Sequence, residues 1–570
     1  MMKTASTLML VVTGTYVAAE KTERSSLPYP PEQLRLALGY DVSSMNVGWA
    51  TMENTEAPQT SSWVQWGTEE NDLRNQARGD VTLFTQDPGR NWTMHTATMS
   101  TLTPDTQYFY RVGCPEGGWS DVVSFRSQKL TYPQTHVIFG DMGSAFAYSL
   151  CIDCDKNETC VCTNKTAGII SEKPDMILHT GDFAYDLDSN GGLTADRFFR
   201  NIEPVASKYP YMISQGNHED SDLSLARFTE SFRHMPTTTG TVESTNGVAP
   251  NIWYFSWDAG LVHYISISTE IQGGAMLHRG GYDLVRSQYE WLVSDLEAAN
   301  QRRDQVPWIV VNGHRSMYCS CDGDCDAEAS QQRLGPWSNG TYGFEELFFN
   351  MGVDLFVNGH EHNYERSYPT YDNKTTQSNV EPNAPIYIVT GAAGCKELHE
   401  PFVQKQPPRS AFRSNTFGYS RMIVHNATHI RWQQVMTDPT FFGPDQYGHV
   451  IDDTWIVQSN HGPFKKSSAP KTYEGSGIKG ISRDHWIGHD HPEAGIRLPQ
   501  GAKWKSDKNM RENVKLAKFM AAFGDTTWED NHDEYHVSMA SLMKRFAETE
   551  DAEERAKIMD AMQDLAASQA

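Results

Sequence analysis

Basic residues are in short supply in this 570-residue chain. Its 48 lysines and arginines stand against 72 aspartates and glutamates, which leaves a formal net charge of −24 at pH 7. Proteins that bind nucleic acids or anionic membrane surfaces use an excess of positive charge to reach the phosphates. The composition therefore argues against both kinds of partner, although an acidic protein can still bind phosphate through metal ions.

Long apolar runs are also lacking. Beyond the N-terminus no stretch is long and apolar enough to span a bilayer, and the polar C-terminal residues carry no anchor sequence. The N-terminus itself has Lys3, a short apolar run at 8–12 and small residues at 17–19, which together predict a signal peptide over residues 1–19. We expect a protein that is secreted or sorted to an acidic endomembrane compartment, with no membrane anchor.

Cysteine is scarce for this length, with nine residues. They lie at Cys114, Cys151, Cys154, Cys160, Cys162, Cys319, Cys321, Cys325 and Cys395. In a secreted protein, disulfides are favoured over a zinc site, and the odd count leaves one thiol unpaired or in an intermolecular bond. N-x-S/T sequons agree with secretion and predict glycosylation. They begin at Asn91, Asn157, Asn164, Asn339, Asn373 and Asn426.

The pattern of the first 130 residues predicts a β-sandwich. Between 27 and 128, short alternating runs such as Leu34–Leu38 are separated by turn residues. The segment Leu102–Val112 resembles the tyrosine-corner strand of a fibronectin type III-like module. This module is expected to support the rest of the protein and to carry no chemistry.

Continuous apolar strands replace the alternating ones over residues 135–464. Such strands are buried on both faces, so they predict α/β layers whose sheet faces are covered. One helix is expected over 284–299 and a closing strand over 450–458. The chain as a whole is predicted to be an α+β multidomain protein.

Residues 465–570 form a third region with a different composition. A polar linker is followed by helical patterns rich in methionine, near 513–523 and 537–565. We expect this extension to dock on the parent protein or on a partner, or to mediate a homodimer, because methionine suits adaptable apolar contacts. Its role is not indicated by any motif.

Apolar runs of the middle region repeatedly end in a glycine and a residue that can bind metal. Glycine permits a sharp exit from a strand, and open α/β sheets place their sites at the carboxyl ends of their strands. One such block alone is usually a turn. The set indicates a site for two metals, because carboxylate and amide oxygens suit hard ions and imidazoles suit iron, zinc or manganese. The blocks are Gly140-Asp141, Gly181-Asp182, Gly216-Asn217, Gly313-His314 and Gly359-His360.

These blocks, with Tyr185 after Gly181-Asp182 and His362 after Gly359-His360, resemble the pattern of the purple acid phosphatases, which are calcineurin-like metallophosphoesterases. The resemblance covers residues 27–460. It implies that the second region is an α/β sandwich of two mixed sheets flanked by helices. It implies that Asp182 bridges the two ions and that two sets of ligands flank it. A ferric ion would be held by Asp141, Tyr185 and His362, and a divalent zinc, manganese or ferrous ion by Asn217, His314 and His360.

The resemblance also implies an activity. The protein would be an acid phosphatase that hydrolyses small phosphate monoesters with a metal-bound hydroxide. His218 would be the catalytic residue that contacts phosphate or protonates the leaving group, or else a hydrogen-bonding partner of the metal ligands. The chain lacks the further histidines that many relatives carry after the His314 block. Arg315, Tyr318 or a loop could take that place.

Two other functions remain open at this point. A phosphodiesterase or nucleotide hydrolase would use the same metals. A non-catalytic secreted binding protein would keep the fold but would have no need of the complete ligand set.

Overall fold

The computed structural model describes residues 30–53, 61–87, 90–143, 172–220, 225–244, 247–274, 276–321, 325–337, 340–395, 397, 399–437 and 448–466. Some of the expectations above lie outside these residues. They concern the signal peptide, the cysteines of 151–162, the sequons at Asn157, Asn164 and Asn339, and the extension after residue 466.

Residues 30–127 form a sandwich of two antiparallel sheets, here called the sandwich. One sheet has the strand order β1-β2-β6-β5 and the other β4-β3-β7-β8, with β9 also paired to β7. The fold predicted for this region is therefore confirmed. The strands are β1 (Glu32–Leu38), β2 (Met45–Glu53), β3 (Trp63–Gly67), β4 (Asn75–Arg78), β5 (Asp80–Asp87), β6 (Arg90–Met99), β7 (Gln107–Cys114), β8 (Gly118–Trp119) and β9 (Val123–Arg126).

The following residues form two mixed sheets, here called the two-sheet domain, as predicted. The strand orders are β12-β11-β10-β24-β25-β26 and β15-β16-β17-β18-β22-β19-β23, and two small hairpins, β13-β14 and β20-β21, lie outside them. The strands are β10 (Gln134–Phe139), β11 (Met176–Thr180), β12 (Tyr211–Ser214), β13 (Thr241–Ser244), β14 (Gly247–Pro250), β15 (Phe255–Ala259), β16 (Val262–Ser266), β17 (Trp308–Asn312), β18 (Leu355–Asn358), β19 (Tyr364–Ser367), β20 (Thr370–Tyr371), β21 (Lys374–Thr375), β22 (Ile386–Thr390), β23 (Ser410–Ser414), β24 (Gly418–Asn426), β25 (His429–Met436) and β26 (Val450–Val457).

Helices flank these sheets. The predicted surface helix over 284–299 is part of a longer one, α4. None of the helices in the described residues is long and apolar enough to cross a membrane. The helices are α1 (Leu193–Ala206), α2 (Ala226–Ser231), α3 (Thr269–Gly273), α4 (Met276–Asn300), α5 (Cys325–Leu334) and α6 (Phe344–Met351), with a 3-10 turn at Asn217–Asp220.

Within each sheet, the strands that precede the predicted ligands pair with one another in parallel. In the first sheet β10 pairs with β11 and β11 with β12, and in the second sheet β17 pairs with β18. Strands β11, β12, β17 and β18 are buried along their full length. Because parallel strands end at the same edge, the loops after them are brought together.

The sandwich has the tyrosine corner that its sequence predicted. The backbone N–H of Thr103 donates to the hydroxyl of Tyr108 at 2.9 Å. Strand β1, however, does not alternate between buried and exposed residues. Arg35 is 1% exposed, because its guanidinium lies 4.3 Å from the ring centre of Phe199 on α1 and donates to the carbonyl of Ser231 at 2.8 Å. Contact with the two-sheet domain therefore leaves both faces of this strand buried.

One buried carboxylate joins the two parts of the protein. Asp196 on α1 is fully buried. It accepts hydrogen bonds from Gln33 at 3.1 Å and Trp92 at 2.9 Å, and it forms ion pairs with Arg90 at 2.6 Å and Arg227 at 2.8 Å. The donors come from the sandwich and from α2, so these hydrogen bonds hold the two parts in a fixed relation.

Candidate metal centre

The loops that follow the carboxyl ends of the parallel strands meet between the two large sheets, and hydrogen bonds connect them. Gly140 N–H, after β10, donates to the carbonyl of Thr390 at the end of β22 at 2.9 Å. Nδ1 of His314 lies 2.8 Å from the carbonyl oxygen of Thr180 in the opposite sheet. The structure brings all the predicted ligands together in these loops. They are Asp141, Asp182, Tyr185, Asn217, His314, His360 and His362.

Several of these ligands have an unfavourable backbone conformation. The φ angles are 62° at Asp141, 54° at Asp182, 58° at Tyr185 and 71° at His360. Residues other than glycine seldom adopt such left-handed conformations, which cost about 1–3 kcal/mol each and cluster at functional sites. These conformations lower the local stability of the backbone, and they direct the side chains toward one point.

The glycines of the blocks are needed for close approach. A Cβ atom on Gly181, whose φ is +85°, would lie 2.6 Å from Nδ1 of His314. A Cβ atom on Gly359 would lie 2.4 Å from Oδ2 of Asp141. Side chains at either position would push the two sheets apart at the site.

Asp141, Tyr185 and His362 form the first set of candidate ligands. The Tyr185 hydroxyl lies 2.8 Å from Nε2 of His362 and 3.3 Å from Oδ1 of Asp141. Burial raises the pKa of Tyr185 well above its usual value, and the nearby Cys395 and Asp141 raise it further. A phenolate in this place therefore needs a cation beside it.

Cys395 is a neighbour of the first set that the sequence did not indicate. Its Sγ lies 3.4 Å from Nδ1 of His362, and the residue is buried. It follows β22, far from the other blocks in sequence. The same sulfur lies 3.7 Å from Nε2 of His362, so the thiol is close to both ring nitrogens.

Asn217, His314 and His360 form the second set, and Asp182 lies against it. Oδ1 of Asn217 is 3.0 Å from Nε2 of His314 and 2.9 Å from Nδ1 of His360. Oδ2 of Asp182 is 3.2 Å from Nε2 of His314. The nitrogens of His314 and His360 that face each other are 3.3 Å apart. These atoms surround one small volume.

The chemistry of the second set fits a cation. The carbonyl of Thr180 can only accept, so Nδ1 of His314 carries a proton and Nε2 of a neutral ring has a free lone pair. Burial lowers the pKa of His314, but the charges of Asp182 and Asp141 outweigh it and raise the pKa to about 10. The oxygens around Nε2 thus require a positive charge, which a proton or a metal ion supplies.

Glu219, next to His218 in the chain, fastens two ligand loops to each other. Its buried carboxylate accepts from the backbone N–H groups of Gly216 and Asp182, both at 2.8 Å, and of Phe183 at 3.0 Å. Burial and the charge of Asp182 raise the pKa of Glu219 to about 8. Its position within the Gly216-Asn217-His218-Glu219 block was the signal that could have identified it.

His218 lies at the rim of the site, with 21% of its side chain exposed. Its Nδ1 is 2.8 Å from Oδ1 of Asp186, and its Nε2 is 3.9 Å from Oδ2 of Asp182 and 3.8 Å from Oε1 of Glu397. Burial opposes the charged ring, but Asp182, Asp186 and Glu397 raise the pKa of His218 to about 9. The ring is therefore oriented by Asp186, which the sequence did not identify.

Arg315 and Tyr318 do not replace the missing histidines in the way that was considered. Nε of Arg315 lies 2.8 Å from Oε1 of Glu270, and its Nη1 is paired with Glu328. The Tyr318 hydroxyl donates to Glu345 and accepts from the backbone N–H of Asn373 at 3.0 Å. Both side chains are hydrogen-bonded to carboxylates, so neither is free to protonate a leaving group.

A disulfide lies beside the site. Cys319, in the loop after β17, is bonded to Cys325, the first residue of α5. Within the described part of the chain Cys114, Cys321 and Cys395 are unpaired and buried. The disulfide attaches α5 to the loop that carries His314.

Three family models match the chain in succession. They are described as the purple acid phosphatase N-terminal domain (residues 31–127), calcineurin-like phosphoesterase (137–364) and iron/zinc purple acid phosphatase-like protein C (384–452). They cover the sandwich and most of the two-sheet domain.

Individual proteins match over the same region. Acid phosphatase type 7 of Mus musculus is 37% identical over 441 residues, which are 75% of this chain and 91% of that protein. Purple acid phosphatase 15 of Arabidopsis thaliana is 25% identical and covers 77% of this chain and 87% of its own length. The structure of a purple acid phosphatase from yellow lupin (Lupinus luteus) seeds has a TM-score of 0.55 at 23% identity, over 79% of this chain and 78% of that one, which supports the fold.

Proposed function

The chain belongs to the purple acid phosphatases, and on this basis we propose a role for each site residue in the hydrolysis of phosphate esters. It is an acid phosphatase that acts on phosphate esters at a dinuclear metal centre. We propose that its substrates are phosphate monoesters. The proposed metals are a ferric ion and a divalent zinc, manganese or ferrous ion.

The ferric ion is assigned to Asp141, Tyr185 and His362, and the divalent ion to Asn217, His314 and His360. Asp182 is assigned as the bridge. The observation that carries the assignment of the divalent ion is the cluster of oxygens and imidazole nitrogens around Nε2 of His314, a donor set that suits a cation. When bound, the two cations offset charge on phosphate oxygens and make water more acidic.

His218 is assigned to the leaving group. A carboxylate only accepts hydrogen bonds, so Asp186 holds the proton on Nδ1 and leaves the second proton of the charged ring on Nε2. That proton can pass from Nε2 to the leaving oxygen, after which the ring is neutral and still anchored at Nδ1. Glu397, 3.8 Å from Nε2, stabilises the charged ring before the transfer.

The choice between monoesters and diesters is tested by comparing the hydrolysis of p-nitrophenyl phosphate with that of bis-p-nitrophenyl phosphate by the full-length, metal-loaded protein. A higher kcat/KM for the monoester supports the proposal. A clear preference for the diester would replace it with a phosphodiesterase on the same metals.

Tyr185→Phe should abolish the colour of the iron-loaded, oxidised protein. Phenolate is electron-rich and Fe(III) is electron-poor, so their contact gives a visible charge-transfer band, and phenylalanine keeps the ring but removes the oxygen. The measurement is the visible absorption spectrum together with the iron content.

Tyr211→Phe is the matched control. Tyr211 is also fully buried in the first sheet, and its hydroxyl lies 2.7 Å from Nδ1 of His179 rather than beside the candidate ligands. Its loss should leave the band unchanged. A colourless wild-type protein with iron bound, or a coloured Tyr185→Phe protein, would refute the ferric-tyrosinate assignment.

Secretion is proposed from the signal peptide, the sequons and the Cys319–Cys325 disulfide, which suits an oxidising compartment. Among the described sequons, Asn373 and Asn426 are exposed and Asn91 is 7% exposed. We therefore expect glycans at Asn373 and Asn426 and none at Asn91. Mass spectrometry of glycopeptides from protein expressed in eukaryotic cells measures this. Protein that stays inside the cells with Asn373 unmodified would count against secretion. A homodimer remains a prediction.

A further inference from the structure

His360 is held from both sides of its ring. Nδ1 faces Oδ1 of Asn217 at 2.9 Å, inside the second set of candidate ligands. Nε2 faces Oε2 of Glu328 at 2.9 Å, outside it. A neutral imidazole has one protonated nitrogen, so the partner of Nε2 decides whether Nδ1 has a lone pair to give to a metal ion.

Two residues compete for Nε2. Glu328 can only accept, so it favours a proton on Nε2 and a lone pair on Nδ1. Nη1 of Arg315 lies 3.1 Å from the same nitrogen and can only donate, which favours the opposite tautomer. In that tautomer Nδ1 carries the proton and cannot bind a metal ion.

The surrounding charges favour Glu328 in this competition. Arg315 donates through Nη1 to Glu328 and through Nε to Glu270, at 2.8 Å from Oε1. Nε and Nη1 of Arg315 are thus each paired with a carboxylate, and the second N–H of Nη1 is the donor that competes for His360. Glu328 in turn lies on α5, whose first residue is bonded to Cys319 in the His314 loop. The helix is held where its carboxylate reaches His360.

We propose that Glu328 is a positioning residue that selects the metal-binding tautomer of His360 and so sets the affinity of the site for its divalent ion. The proposal rests on the ligand assignment given above. It predicts weaker binding of the divalent ion and unchanged binding of the ferric ion, because His360 belongs only to the second set.

Glu328→Gln removes the charge and offers Nε2 a donor as well as an acceptor. It should weaken binding of Zn²⁺ by about 10–100-fold, the usual loss when the partner of a ligating histidine is mutated. The measurement is chelator competition for Zn²⁺ on the full-length, iron-loaded protein. The visible band of the iron should keep its position and intensity, because Tyr185 and His362 belong to the first set of ligands, whereas Glu328 contacts a member of the second.

Glu270→Gln is the matched control. This substitution removes the other carboxylate charge that pairs with Arg315, at a residue that is not a partner of Nε2 of His360. Zn²⁺ should therefore bind as in the wild-type protein. Glu328→Asp provides a second test that retains the negative charge and the pairing with Arg315 while drawing the carboxylate back from the ring. It should also weaken Zn²⁺ binding.

Each contrary result has a distinct meaning. Unchanged Zn²⁺ affinity in both Glu328 variants would overturn the proposal, and so would an equal loss in Glu270→Gln, since the effect would then run through Arg315. A wild-type protein that binds neither iron nor Zn²⁺ would overturn the ligand assignment and this proposal with it.

Discussion

Asp182→Ala should leave a protein without either metal and without measurable phosphatase activity. The carboxylate is assigned to both ions, so each loses a ligand in one substitution. Burial raises the pKa of Asp182, but the charges of His314 and His218 outweigh it and hold the pKa well below its usual range. Asp182 is therefore an anion, and alanine at this position cannot supply its negative charge.

Metal analysis of the purified variant, together with its turnover of p-nitrophenyl phosphate, measures this effect. Asp175→Ala is a suitable control, because Asp175 precedes the opposite end of β11 and pairs with Lys129 at 2.8 Å. It should retain both metals. Asp182→Asn preserves the shape of the side chain, so metal loss in that variant would show that charge is decisive. Normal metal content and near-normal turnover in Asp182→Ala would contradict the bridging role.

His218→Ala should retain both metals and lose about 10²–10⁴ in turnover of an alkyl phosphate, the usual range for a positioned acid. The side chain is not among the assigned ligands, and its Nε2 is 3.9 Å from Oδ2 of Asp182. An alkoxide is a poor leaving group and needs the proton, whereas nitrophenolate is stable without it. The loss should therefore be smaller for p-nitrophenyl phosphate.

The comparison of leaving groups separates two roles. Equal losses with both substrates would assign His218 to phosphate binding, and no loss would remove it from the site. Asp186→Asn weakens the anchor at Nδ1 and should show the same dependence on the leaving group with a smaller loss. The metal content of both variants must be measured alongside. The backbone N–H of His218 donates to Oδ1 of Asp182 at 2.9 Å, so a shift of this loop would disturb the bridging carboxylate.

The framework of the site was predictable because its signals are local. A buried strand, a glycine and a ligand follow one another within a few residues, as at Gly181-Asp182 and Gly359-His360. The parallel pairing of these strands then brings distant blocks to one edge. Neither step requires knowledge of side-chain contacts.

The supporting residues could not be predicted in the same way. Glu328 lies on a helix and Cys395 follows another strand, and no spacing relates either of them to the histidine that it contacts. Arg315 was considered as a replacement for a histidine because it follows His314, but two glutamates determine where it points. Its role depends on the packing of α3 and α5 against the His314 loop.

The sandwich was expected to be a support, and Asp196 shows how closely it is tied to the rest. Three of the donors to this carboxylate, from Gln33, Arg90 and Trp92, belong to the sandwich. A two-sheet domain without it would expose Asp196 to solvent and leave Arg227 as the remaining one of these four partners. The sandwich is therefore not an exchangeable cassette. Recombination that gave this catalytic domain a different N-terminal neighbour would have to replace Asp196 as well, so the two parts are expected to be inherited together.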